Sequence, residues 1–302
     1  MVGAFLTTIF FSLSAIFANR SIRAVGAIPA NIGRLLFAAL ALGVYAHLWG
    51  GGWGGVGFNW LLWSGVVGMG LGDLALFAAL PLLGSRLTVL MTQCLAAPIA
   101  ALAEYLWLGT VLTSVQLLWG GVILLGVIGA LMPSRSDPPK VKIRPLGFLW
   151  GLGSAAGQGL GAVLSRKASQ VATTAGESID GITGAYQRIL GGLVITLTFF
   201  AVLSLIRRLR AKSAEPDLAP RPPWRAYLWI PANALSGAVI GVSCYQWALF
   251  TTPSGLVLPI VAATPLVIVP FSYWLEGERP SRRSLVGGAV AVAGAVALAW
   301  VR

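Results

Sequence analysis

The seven longest runs of this chain without a charged side chain are residues 1–19, 35–72, 105–134, 145–165, 189–206, 226–275 and 284–301. A membrane-spanning helix needs about 20 mostly apolar residues. The run 226–275 has room for two such helices and a turn. The run 35–72 holds two more, separated by the breaker Gly50-Gly51-Gly52-Trp53-Gly54-Gly55. A membrane β-barrel would show short alternating strands instead. Composition agrees, since 57% of the 302 residues are hydrophobic and only 10% are charged. That excludes a water-soluble globular domain, and it excludes disorder, which requires low hydrophobicity.

The fold class that follows is an all-α polytopic membrane protein with ten transmembrane helices. The predicted spans, numbered 1 to 10, run 2–19, 30–49, 58–80, 86–108, 114–132, 146–168, 180–206, 226–250, 255–275 and 284–301. A cleaved signal peptide is not expected, because span 1 lacks a basic leader and is followed by Asn19-Arg20. Cys94 and Cys244 read as small apolar packing residues.

Lys and Arg number 21 against 9 acids, a net charge of +12. In so apolar a chain this excess records membrane insertion rather than nucleic-acid binding, because short cytoplasmic loops collect Lys and Arg. The loops after spans 1, 3, 5, 7 and 9 hold 16 of them. The opposite side holds Arg166, Lys167 and Arg302, while Arg34 and Arg188 lie near span starts. The odd-numbered loops are therefore expected in the cytoplasm and both termini outside, in the cell (inner) membrane.

The spans divide into two halves: 1–133, a basic cytoplasmic linker at 134–145, and 146–302. At an offset of 167, Pro98 meets Pro265 and Gly120-Gly121 meets Gly287-Gly288. An offset of 154 aligns Arg34 with Arg188, and one of 146 aligns Arg20 with Arg166. Five helices is an odd number, so the two repeats are inverted with respect to each other. The charges concur: the loop after span 2 has no Lys or Arg, while its counterpart after span 7 has six. Inverted repeats characterise many secondary transporters, whose substrate site lies near mid-membrane between the repeats.

The stretch Gly72-Asp73-Leu74-Ala75-Leu76-Phe77, then Leu83-Gly84-Ser85-Arg86, Ala97-Pro98 and Leu108-Gly109-Thr110, resembles the EamA-like branch of the drug/metabolite transporter superfamily. The second half repeats it with Pro253-Ser254-Gly255-Leu256, Thr264-Pro265, Gly277-Glu278-Arg279-Pro280 and Leu285-Val286-Gly287-Gly288. The resemblance implies a ten-helix exporter or exchanger of small organic solutes. Spans 1–4 and 6–9 would line its cavity, with 5 and 10 peripheral. Two positions depart from the family pattern. Thr110 stands where members usually carry Glu, and the loop after span 2 is Gly/Trp-rich where many are basic.

Ionisable groups at membrane depth are costly and so are functional candidates. Asp73 is the one acid placed well within a predicted span. It either binds a cationic group or a coupling proton, or it caps a helix break or pairs with an arginine. Arg34 and Arg188 either grip a substrate carboxylate or phosphate, or snorkel to the interface. Glu104, near the end of span 4, reads as interfacial. Gln93, Gln158, Tyr186, Gln187, Asn233, Tyr245 and Gln246 are expected to face the bundle interior, because polar groups in hydrocarbon need partners. There they line a polar cavity or bond neighbouring helices, and Trp247 is a candidate to pack on substrate. Pro98, Pro259, Pro265 and Pro270 are candidate helix breaks. His47 and two distant cysteines make no metal site, and no cofactor is implied.

The function expected is a secondary transporter, an exporter or exchanger, of small organic solutes such as amino acids or related metabolites. Its partners would be the solute and the lipid bilayer, not nucleic acid, with the chain acting as monomer or homodimer. The alternative is an intramembrane enzyme acting on a lipid or isoprenoid. It lacks paired acids to hold a metal ion. A protease-cleavable tag at either terminus is predicted to be lost in intact cells treated with external protease. Full protection of both tags would reverse the orientation.

Overall fold

With no water to hydrogen-bond, a backbone in hydrocarbon must satisfy its own N–H and C=O groups, and helices do this within one segment. The computed structural model describes residues 1–132, 141–210, 223–276 and 282–301, and among them the chain has no strand. The linker expected at 134–145 falls mainly on residues 133–140, outside the described ones. Span 1 is α1 (Val2–Val25) and span 2 is α2 (Ala27–Leu48). Span 3 is composite: α3 (Phe58–Gly65), a π-helical segment Val66–Leu71, and α4 (Gly72–Leu83). Then come α5 (Ser85–Leu108), α6 (Ser114–Leu131), α7 (Pro145–Thr174) and α8 (Gly181–Arg210). Span 8 is also composite: α9 (Trp229–Asn233), a π-helical segment Ala234–Gly241, and α10 (Val242–Thr251). Span 9 is α11 (Ser254–Ala262) followed by α12 (Thr264–Glu276), and span 10 is α13 (Arg282–Trp300).

Among the described residues, eight helices are long and apolar enough to cross a membrane. The predicted spans 6 and 9 are present as helices but fall outside that set. Span 6 is too polar, because α7 carries Gly147, Gly151, Gly153, Ser154, Gly157 and Gln158 and continues past Arg166 and Lys167. Most of its glycines and serines, Gly147, Gly151, Ser154 and Gly157 among them, are buried against neighbouring helices, so it needs little apolar surface of its own. Span 9 is interrupted at Ala263, leaving two short pieces.

The proline expectation is corrected in part. Pro98 and Pro259 lie inside the continuous helices α5 and α11. Pro265 occupies the first turn of α12, where its missing N–H deprives no helix of a bond. The Val261 carbonyl four residues before it is taken by the Thr264 hydroxyl at 2.6 Å. Pro270 falls within α12. The irregularities the sequence did not reveal are the two π segments, which contain no proline.

α13 packs along α6. α1 packs on the composite α9–α10 unit and on α11 and α12, as α7 packs on the composite α3–α4 unit and on α5. α2 lies against α8, and each of these two also meets the π segment of the opposite half. Small residues permit the closest approaches. A Cβ added to Gly287 would meet the Gly126 carbonyl oxygen at 2.5 Å, and one on Gly126 would meet the Ala291 nitrogen at 2.6 Å. Gly288, by contrast, has nothing within 4 Å. Gly287→Ala is expected to destabilise the α6–α13 pair by about 1–3 kcal/mol through overpacking. Gly288→Ala should leave the thermal midpoint in detergent unchanged or raise it. Equal midpoints for the two variants would contradict this packing.

Candidate functional site

α8 enters the bundle beside the glycine-rich segment of span 3. Gly65 and Gly68 remove the side chains that would otherwise hold α8 away. This brings Arg188 inside, where it is 5% exposed. Its Nη1 donates to Gln246 Oε1 at 3.2 Å and to Ser165 Oγ at 3.4 Å. Ser165 also donates to Gln246 Oε1 at 3.1 Å and lies 2.8 Å from Ser64 Oγ. Ser64 bonds the Gly161 carbonyl at 2.6 Å. The Tyr245 ring centroid lies 5.1 Å from the guanidinium carbon. α3, α7, α8 and α10 thus each contribute to one buried polar cluster. Arg188 Nε and Gln246 Nε2 are buried without a hydrogen-bond partner.

Asp73 lies in the first turn of α4, directly after the π segment. Its carboxylate caps no helix and closes no ion pair with the arginines, yet it interacts electrostatically with both Arg34 and Arg188. Arg34 donates instead to Asn31 Oδ1 at 2.8 Å. Asp73 and Asn31 line a cavity of about 260 Å³ between α2, α4 and α8, with Phe77, Phe199 and Phe200 as its aromatic wall.

Tyr186 and Gln187, expected as cavity-lining groups, clamp the loop between α2 and α3. Trp53 Nε1 donates to the Tyr186 hydroxyl at 2.7 Å, and His47 Nε2 lies 3.2 Å from the same oxygen. Gln187 Nε2 donates to the carbonyls of Gly52 and Gly54 at 2.9 and 3.1 Å. Gly52 has φ +55°, a left-handed conformation that favours glycine, and a Cβ there would also meet His47. The three consecutive residues 186–188 therefore join this loop to the buried cluster.

The other sequence candidates are scattered. Asn233 accepts from Ser14 at 2.7 Å on the α1 side. Gln93 and Gln158 are half-buried. Trp247 is exposed and walls an outer groove with Tyr45 and Asp180. Ser64 and Ser165 were not legible as site residues, because small hydroxyls in apolar spans carry no signal until the helices meet. Among the described residues, no three of His, Cys, Asp and Glu gather where they could hold a metal ion.

Glu104 is buried inside the protein, 1% exposed. It accepts from Arg166 Nε at 3.0 Å, from Thr110 at 3.2 Å and from the Ser254 backbone N–H at 2.7 Å, with the Ser254 hydroxyl also bonded to it. Arg166 donates onward to the Leu249 carbonyl at 2.9 Å. Arg166 is therefore a bundle residue rather than a loop charge. Removing one partner of such a pair strands a buried charge and costs about 3–5 kcal/mol. Glu104→Gln is expected to lower the thermal midpoint and the folded yield, and Glu104→Leu combined with Arg166→Met to restore much of both. An unchanged midpoint for Glu104→Gln would show the pair to be dispensable.

A family model described as the EamA-like transporter family matches residues 145–300. This bears out the resemblance read from the residues. No match is found among curated proteins. Among solved structures, 29 chains match. One, described only as a protein in a crystal structure, aligns with a TM-score of 0.72 over 98% of this chain and 94% of its own, at 16% identity. At that identity the likeness speaks for the fold alone.

Proposed function

The chain belongs to the EamA-like transporter family, within the drug/metabolite transporter superfamily, and from that premise we propose that it is a secondary transporter of small organic solutes. It works as an exporter or exchanger, by alternating access, on amino acids or related metabolites. Ten spans form two inverted repeats, with both termini outside the inner membrane. Three features support this. The two π segments overlap under the 167-residue offset found in the sequence. The packing partners of α1 and α7 correspond when the halves are exchanged. Arg34 and Arg188, matched in sequence, both act on the single Asp73.

The observation that carries the reading is the buried cluster of Ser64, Ser165, Arg188 and Gln246. It draws on both halves, with Ser64 from the first and Ser165, Arg188 and Gln246 from the second. A group of this kind is costly in hydrocarbon and is kept for a solute path. The half-buried Asp73 and the buried Glu104 sit in separate clusters, which favours transport over metal-dependent lipid chemistry. Alternating access needs an element with two arrangements. The π segments beside Arg188 and α1, together with the clamped loop of Gly50 to Gly57, are its candidates.

The test is flux in sealed proteoliposomes, with amino acids, nucleosides, small organic acids and cationic drugs supplied with and without a pH gradient. Gradient-driven movement of at least one class is expected. Asp73→Asn is expected to lower gradient-driven flux at least tenfold while leaving solute exchange measurable. Full gradient-driven flux in Asp73→Asn would remove Asp73 as the coupling group. No flux of any solute would overturn the transport reading.

A further inference from the structure

We propose that Arg188, together with the Gln246 amide, is the anchor for one singly charged carboxylate carried by a small organic molecule. This rests on the transport reading only for how the anion reaches the site. The argument begins with what Arg188 lacks. It is 5% exposed, and Gln246 is wholly buried. Its hydrogen-bonded partners, Ser165, Gln246 Oε1 and the Tyr245 side chain, are uncharged groups. Neutral acceptors satisfy an N–H but leave the guanidinium charge uncompensated.

The hydrogen bonding is also incomplete. Arg188 Nε and Gln246 Nε2 are buried donors without acceptors. A carboxylate offers two acceptor oxygens in one plane, and the Nε side of a guanidinium is one edge of the fork that binds it. Among the described residues no acid fills this role. Glu104 is committed to Arg166 and Ser254. Asp73 acts on Arg188 through space without pairing with it, and it shares that influence with Arg34. Two guanidiniums and one carboxylate leave a single positive charge in excess, which a monovalent anion balances. A dianion would overshoot.

Glycines let the protein's own side chains close around the pair: a Cβ on Gly68 would lie 2.8 Å from Arg188 Nη2, and one on Gly184 would meet the Phe250 ring at 2.6 Å. The site is closed over its own side chains in this structure, so the anion enters only when the bundle opens, as alternating access requires.

The full-length protein, purified in detergent, is tested by thermal shift at constant ionic strength. The probes are butyrate with butyramide, benzoate with benzamide, phenylacetate with phenylacetamide, and inorganic phosphate. At least one acid should stabilise the protein at concentrations tenfold or more below those at which its amide or phosphate does. Arg188→Gln should abolish that shift while keeping or raising the ligand-free midpoint, since it removes an uncompensated charge. Arg188→Lys keeps the charge but loses the fork, and should weaken binding at least tenfold. Gln246→Leu should weaken it too, and it serves if Arg188→Gln does not fold.

The proposal is overturned if amides match acids, if phosphate alone stabilises, or if the acid shift survives in Arg188→Gln. Flux is read separately in proteoliposomes. Acid binding without flux of any solute would sink the transport reading and keep this site. Solute flux that Arg188→Gln leaves intact would do the reverse.

Discussion

Every polar group carried into hydrocarbon must find its partner inside the protein, and this chain meets that demand by bringing backbones unusually close. Glycines at 65 and 68 let α8 lie against the π segment of span 3, and Gly157 and Gly161 do the same for α7. Close approach puts hydroxyls within reach of carbonyls on other helices. Thr8 reaches the Ile260 carbonyl at 3.2 Å, and Ser12 reaches that of Thr264 at 3.0 Å. These carbonyls lie at the break between α11 and α12, so α1 helps satisfy an interruption that would otherwise be untenable in a membrane.

The same constraint separates two buried arginines. Arg166 meets Glu104, which also bonds the first N–H of α11, so the charge is neutralised and a helix N-terminus is served at once. Arg188 has neutral partners and two unmet donors around it. One arrangement reads as a fastening between the halves. The other is a vacancy of charge that an incoming anion fills. Their neighbours differ accordingly: Arg166 reaches the Leu249 carbonyl at the end of α10, while residue 188 follows directly on the two that grip the loop after α2.

Much of this fold was legible in the residues because lipid leaves few solutions. An uncharged run of sufficient length is a helix, and Gly50 to Gly55 breaks one. Span 6 was legible as a helix yet is too polar to pass as a span alone, because its glycines and serines are meant for neighbours rather than lipid. The site was only half legible. Arg188 and Gln246 stood out as polar groups where polar groups are costly. Tyr186 and Gln187 looked identical by that criterion, and they bind the neighbouring loop instead. Ser64 and Ser165 gave no sign, since a serine hydroxyl can bond its own helix at little cost.

The amino-acid sequence by itself determined that this chain lives in a bilayer, that it is helical, and that it belongs with small-solute transporters. Hydropathy, charge placement and spacing are properties of the chain read in one dimension. The tertiary structure decided which polar groups are partnered. Glu104 is matched and Arg188 is not, because partnership depends on helices distant in sequence meeting at one depth. It also decided where helices deform: in π segments next to the arginine and α1, and not at Pro98. Each π segment lies against helices distant in sequence, and no single span encodes that contact.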